Sequence, residues 1–159
     1  MKFYFAILIG MLLTGSACKK EVNGTTGQPS LIFGMYYGYC AGETCVEIFQ
    51  LDEQNLREDI LDHYPNSQDG SITNFSTLMS AAQRTECASL LSSIPDTLFQ
   101  IEQTIIGQPD AGDWGGFYIE CQHENRRRFW LIDTQLQSVP SSLHAFLQEV
   151  KAKVILLRS

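Results

Sequence analysis

The sequence predicts an α+β domain: an antiparallel sheet built from hairpins, with a middle helix and a C-terminal amphipathic helix packed on one face. Three observations carry this expectation. Short runs rich in aromatic and β-branched residues occur in pairs separated by turn residues. Strand-like and helix-like segments do not alternate regularly, which argues against a parallel sheet with crossover helices. The final segment repeats its apolar side chains at helical spacing.

The elements follow in order. LIFGMYYGYC, starting at Leu31, reads as a strand, and CVEIFQL as a second; with AGET between them, residues 31–51 form a hairpin. DEQN is a turn signal, and LREDIL fits either a third short strand or a helical turn. HYPNSQDGS is a loop, marked by Pro65, Asn66, Asp69 and Gly70. Residues 74–93 read as helix, with Leu78, Ala81, Ala82, Ala88, Leu90 and Leu91 as helix formers and Pro95 as the stop. TLFQIEQTII alternates Leu98, Gln100 and Glu102 against Phe99, Ile101 and Gln103, which favours a strand. GQPDAGDWGG is a loop by its Gly, Pro and Asp content. GFYIEC and RRFWLID are two strands joined by a turn at His123, Glu124 and Asn125. The last helix starts at Pro140, a favoured first helical position. Leu143, Phe146, Leu147, Val150, Val154 and Leu157 form its apolar face, opposite Gln148, Glu149, Lys151 and Lys153.

Two segments precede this single domain of residues 31–159. The first, MKFYFAILIGMLLTGSAC, has Lys2 as a minimal positive region, an apolar run from Phe3 to Leu13, and small residues before Cys18. That is the grammar of an export signal over residues 1–17. The run falls short of the roughly 20 apolar residues that a permanent span needs. It also has no polar face, as an ordinary core helix of a small domain would. The second segment, residues 18–30, reads CKKEVNGTTGQPS and has too little apolar surface to fold, so it reads as a flexible tether.

Ser16, Ala17 and Cys18 resemble the processing box of bacterial lipoproteins, with Gly15 standing where that family usually carries Leu. The resemblance implies cleavage before Cys18 and lipidation of its sulfur, which anchors the chain to a membrane; Gly15 and Ala17 also suit an ordinary signal peptidase, which would cut the same bond and leave the sulfur without lipid. Each buried methylene contributes about 0.8 kcal/mol, so two or three acyl chains hold a protein stably where one does not. GMYYGYCAGETCVEIFQL, PDAGDWGGFYIE and WLIDT are similar to segments of small bacterial envelope lipoproteins. That likeness spans most of residues 31–159, supports the fold reading and transfers no site.

Charge narrows the partners. The chain carries 11 basic and 18 acidic side chains, a net charge of −7. Lys2 lies in the leader, so the processed chain stands at 10 basic and 18 acidic, net −8. Such a body repels phosphate backbones, and nucleic acid is not expected as a partner. It gains nothing from anionic lipid surfaces either, so attachment must come from the lipid anchor.

Leaving Cys18 aside, four cysteines remain and allow three connectivities. Cys40 and Cys45 flank the AGET turn and would sit opposite each other, a possible disulfide. No sequence argument brings Cys87 and Cys121 together; buried free thiols behave as small apolar groups. C-x4-C is not a redox C-x-x-C, and without a second close pair it is a poor zinc signature.

Catalytic grammar is absent from the sequence. His63, His123 and His144 stand in no H-E-x-x-H arrangement, and neither a G-x-S-x-G elbow nor a phosphate-binding glycine loop occurs. No metal or cofactor is expected. The group worth following is Asp110, Asp113, Trp114, Gly115, Gly116 and Glu120. Its carboxylates suit Ca²⁺ coordination, or acid/base work around a sugar stacked on Trp114. Turn chemistry, with Trp114 covering a sheet edge, is the plainer reading. Arg126, Arg127 and Arg128 read as a solvated strand edge, the outer two on one face and Arg127 on the other. The expected role is that of a cell-envelope binding or structural module, on the outer membrane or the periplasmic face, meeting a protein or other envelope partner. The alternative is a small envelope hydrolase that uses acidic residues near Trp114.

Overall fold

The computed structural model describes residues 30–68, 72, 74–123 and 126–158. The expected leader, Cys18 and the tether up to residue 29 lie outside the described residues. The chain from Ser30 onward is an α+β fold with a mostly antiparallel sheet and a C-terminal helix. Among the described residues no helix is long and apolar enough to cross a membrane.

The strands are β1 (Ser30–Tyr36), β2 (Val46–Leu51), β3 (Leu56–Asp59), β4 (Phe75–Leu78), β5 (Ile105–Ile106), β6 (Gly116–His123) and β7 (Arg126–Asp133). They form one sheet in the order β4-β3-β2-β1-β6-β7-β5. Neighbours run antiparallel, except that β5 lies parallel to β7 at the edge. The centre is β1, with Phe33 opposite Phe49 on one side and Ile119 on the other.

Alternation along these strands sorts side chains onto two faces. Leu31, Phe33, Met35, Phe49, Leu51, Phe117, Ile119 and Trp130 point to the helices and form one core with them. The helices are α1 (Ala81–Cys87), α2 (Leu90–Ser93), α3 (Asp96–Phe99) and α4 (His144–Leu157). The face read from sequence for the last helix is the one that packs: Phe146, Leu147, Val150, Val154 and Leu157 are buried. Ile32, Tyr36, Val46, Ile48, Tyr118 and Leu131 form a smaller cluster on the opposite face, with Ile72 and Phe75 against it.

Two segments depart from the sequence expectation, and in a third the structure decides between the two expected alternatives. Within residues 74–93, Phe75–Leu78 is strand β4, paired with β3, and helix begins only at Ala81. Ser80 is the reason. Its hydroxyl accepts from the Gln83 backbone N–H, and the Gln83 side chain accepts from the Ser80 backbone N–H, a capping box that starts the helix there. TLFQIEQTII is not a strand: Asp96–Phe99 is a helical turn, and only Ile105–Ile106 joins the sheet. The carbonyls of Phe99 and Ile101 go to side chains instead of a ladder. Arg128 donates to the carbonyls of Phe99 (3.0 Å) and Ile101 (2.6 Å), and the Trp130 indole donates to that of Ile101 (3.2 Å). LREDIL resolves to strand over Leu56–Asp59.

The direction of β1 defines two ends. Ser30 opens it at one end, and Tyr36 closes it at the other. Seven residues at about 3.3 Å each separate these ends by about 20 Å. The connection 37–45, the segment after β3 and the loop 107–115 all gather at the Tyr36 end.

Candidate functional site

Asp110 organises the Tyr36 end. Asp110 and Asp113 both take left-handed backbone conformations, φ 59° each, which aspartate tolerates better than most residues. The turn closes on itself through Asp110 N–H to the Gly115 carbonyl (3.0 Å) and Asp113 N–H to the Asp110 carbonyl (3.3 Å). The Asp110 carboxylate then reaches outward. Its Oδ1 accepts from the Gly115 N–H at 2.9 Å. Its Oδ2 accepts from the Gly38 N–H at 2.7 Å and the Tyr64 hydroxyl at 2.8 Å. One side chain thereby ties together three separate connections.

The neighbouring contacts fix the same end. Asp133 at the close of β7 accepts from the Gln108 N–H (2.9 Å) and holds the start of the 107–115 loop. Gly115 has φ +79°, and a side chain there would meet the Tyr37 ring at 2.5 Å, so only glycine fits. Cys40 and Cys45 are joined by a disulfide, with Cα atoms 5.6 Å apart. Tyr37 N–H donates to the Cys45 carbonyl at 2.9 Å. Arg158, just past α4, donates to the Thr44 carbonyl (3.1 Å), lies 3.6 Å from a Glu47 carboxylate oxygen and sits 5.7 Å over the Tyr37 ring. The end of the last helix is thus fastened to the disulfide loop.

Aromatic side chains crown this framework. Tyr36 is buried below, with the Tyr64 ring edge-on to it at 5.1 Å. Burial pushes the Tyr36 hydroxyl far up, helped by Tyr64 and by the charges of Asp110 and Asp133. Tyr64 is pushed up to about 12 by burial, by its hydrogen bond to Asp110 and by the charges of Asp110 and Asp113. Three rings face solvent: Tyr39 is 86% exposed, Trp114 56% and Tyr64 47%. Trp114 is half-exposed. Its indole lies on Gly112, where an added methyl would fall 2.3 Å from Trp114 Cζ2, and its carbonyl accepts from the Thr134 hydroxyl at 3.1 Å. Asp113 is exposed on the same loop.

The structure therefore brings Asp110, Asp113, Trp114, Cys40 and Cys45 to one end and separates Glu120 from them. Glu120 is buried on β6, accepts from the Tyr118 hydroxyl at 2.5 Å and pairs with Arg127. Arg127 also donates to the Ile72 carbonyl (3.2 Å), while Tyr118 accepts from the Ile72 N–H (3.3 Å). Arg127 and Arg128 are thus not a solvated edge. They fall on opposite faces, as alternation requires, and each fastens a different segment to the sheet. The side chains of Arg126 and His123 lie outside the described residues.

Of the histidines, His63 is exposed beside Tyr64, and a His144 ring nitrogen lies 2.9 Å from the Val139 carbonyl. Cys87 and Cys121 are buried free thiols, pushed up to about 11 and about 12 by burial, which keeps them protonated at neutral pH. Among the described residues no group of three or more His, Cys, Asp or Glu is arranged to hold a metal ion. Two shallow clefts of about 210 and 180 Å³ border Ser30, at the opposite end.

Sequence reasoning did not single out Tyr39 and Tyr64. The available signal was a tyrosine in each of two polar loops, where a ring has no local apolar partner. Both oxygens of Asp110 are engaged in holding backbone and phenol, so this carboxylate works as a fixed acceptor. No protein-family model matches the chain, and no curated protein is similar enough to count as a relative.

Proposed function

We propose that the chain is an exported, lipid-anchored envelope protein whose domain is a binding module, with the Tyr39–Tyr64–Trp114 end as its recognition surface. The leader, the small-residue box before Cys18 and the polar tether support the anchored half of this reading. The observation that carries the binding half is a set of three solvent-facing rings on a frame fixed by Asp110 and a disulfide. Exposed aromatic side chains on a rigid scaffold bind at low entropic cost, because they have little freedom left to lose. Position adds support: the rings belong to loops at the Tyr36 end of β1, about 20 Å along the strand from Ser30, where the tether joins, so the domain can meet a partner without turning back toward its anchor.

The hydrolase alternative draws less support. Asp110 is occupied by three donors, and Glu120, buried and paired, lies elsewhere. Both halves are open to direct test. Metabolic labelling with radioactive palmitate should mark the wild-type chain and not Cys18→Ser; equal labelling of both would overturn the anchor. Wild type, Asp110→Asn and Asp113→Asn should all be inactive on envelope glycans and peptides. Turnover by wild type that disappears in Asp113→Asn would establish the hydrolase instead.

A further inference from the structure

We infer that the Tyr39–Tyr64–Trp114 end takes cationic side chains, arginine or lysine, from a basic protein segment. The inference rests on the binding-module reading and adds the chemistry of the ligand. Three observations lead to it.

The first is the rings themselves. Trp114 offers the aromatic face that attracts a cation most strongly, and Tyr39 and Tyr64 offer two more. The second is charge. Asp113 is exposed beside Trp114, Asp110 carries its carboxylate between the loops, and the processed chain stands at −8. An anionic polymer is repelled by this field, and a neutral glycan gains nothing from it; a basic segment gains from both ring and field. The third is a contact the chain makes with itself at the same end. The Arg158 guanidinium lies over the Tyr37 ring while facing the Glu47 carboxylate. A guanidinium set on a tyrosine beside an acid is therefore a geometry this framework already accommodates, and the exposed rings repeat its ingredients on the outside.

Trp114 also has a seat: its indole rests on the bare α-carbon of Gly112, where an added methyl would displace it.

The test is a titration of the processed, lipidated chain in detergent micelles with dye-labelled peptides, read by fluorescence anisotropy. The probes are an Arg/Gly/Ser peptide, a Gly/Ser peptide of equal length and a labelled chito-oligosaccharide. The Arg peptide should bind saturably, and raised salt should weaken it. Trp114→Ala and Asp113→Asn should each weaken it about fivefold or more. Both sites are exposed, and unchanged circular dichroism would show that the fold survives. Binding of the Gly/Ser peptide as tight as that of the Arg peptide would overturn the inference, as would indifference to Trp114→Ala or no binding at all. Trp114-dependent binding of the oligosaccharide without binding of the Arg peptide would also overturn it, yet leave the binding-module reading standing.

Discussion

Asp110 is joined to Gly38 and Tyr64 across 72 and 46 positions of sequence. That separation explains what could be read in advance. Pro-Asp-Ala-Gly-Asp announces a turn, but nothing local announces which distant groups the first carboxylate will hold. Asp110→Ala should leave Gly38 N–H, Gly115 N–H and the Tyr64 hydroxyl without their acceptor. These groups are partly exposed, so water replaces some of the loss, and destabilisation should be about 1–2 kcal/mol. Hydrogen exchange should speed up at Gly38 and Gly115 and stay unchanged in the β1–β6 ladder; unchanged exchange at those two amides would contradict the latch. Gly112→Ala makes a separate point. The atoms nearest the new methyl all belong to the exposed indole of Trp114, which can swing away. The melting temperature should hold within a degree or so, since surface changes of this kind usually stay within ±0.5 kcal/mol. The environment of Trp114, read by fluorescence of an otherwise buried-tryptophan protein, should change.

At the level of elements, periodicity was a good guide wherever one face met one core. The central strands and α4 were legible because their apolar residues recur at 2 and 3.6. Leu147 is fully buried under the sheet, so Leu147→Ala should cost about 2–5 kcal/mol by chemical denaturation. A cost below about 1 kcal/mol would mean that α4 is not docked as described. The failures have physical causes as well. Residues 98–103 alternate like a strand, but Pro95 and Asp96 start a helical turn, and Arg128 and Trp130 claim the carbonyls a ladder would need. The S-x-x-Q signal at Ser80 was present in the sequence and marks the true start of α1, inside a stretch whose composition alone suggests a longer helix. The Cys40–Cys45 bridge closes a short loop, so Cys40→Ser with Cys45→Ser should destabilise by about 2 kcal/mol on the chain-entropy argument. Calorimetry of the double variant checks it, and the loss should appear first as mobility of residues 37–45.

For the molecule as a whole, negative charge sets the pH response. Glu47, Glu58 and Asp59 are each pushed up, first by burial. Asp62 adds to the shift of Glu47 and Glu58, whereas Arg158 pulls Glu47 back. In the unfolded chain these groups titrate at their ordinary values, 4.5 for Glu and 3.8 for Asp. The folded state therefore holds more protons just above those values, and stability rises as pH falls from neutral toward the mid-4s. The gain disappears again as pH climbs through the folded values. Asp52 works the other way. Burial raises it, but the amides of Gln54 and Asn55 and the charge of Arg57 outweigh that, so its contribution is lost only below 3.8. Thermal melts should show a higher midpoint near pH 5 than at pH 7; a lower one would contradict the burial of these carboxylates. The export and lipidation we propose rest entirely on the first 18 residues, whereas the aromatic end became visible only once the sheet had brought three loops together. The most direct test of the whole account is intact mass spectrometry of the chain isolated from the membrane fraction of its host. The first residue should be Cys18, carrying a diacylglyceryl thioether. An intact Met1, or an unmodified thiol at Cys18 in freely soluble protein, would contradict it.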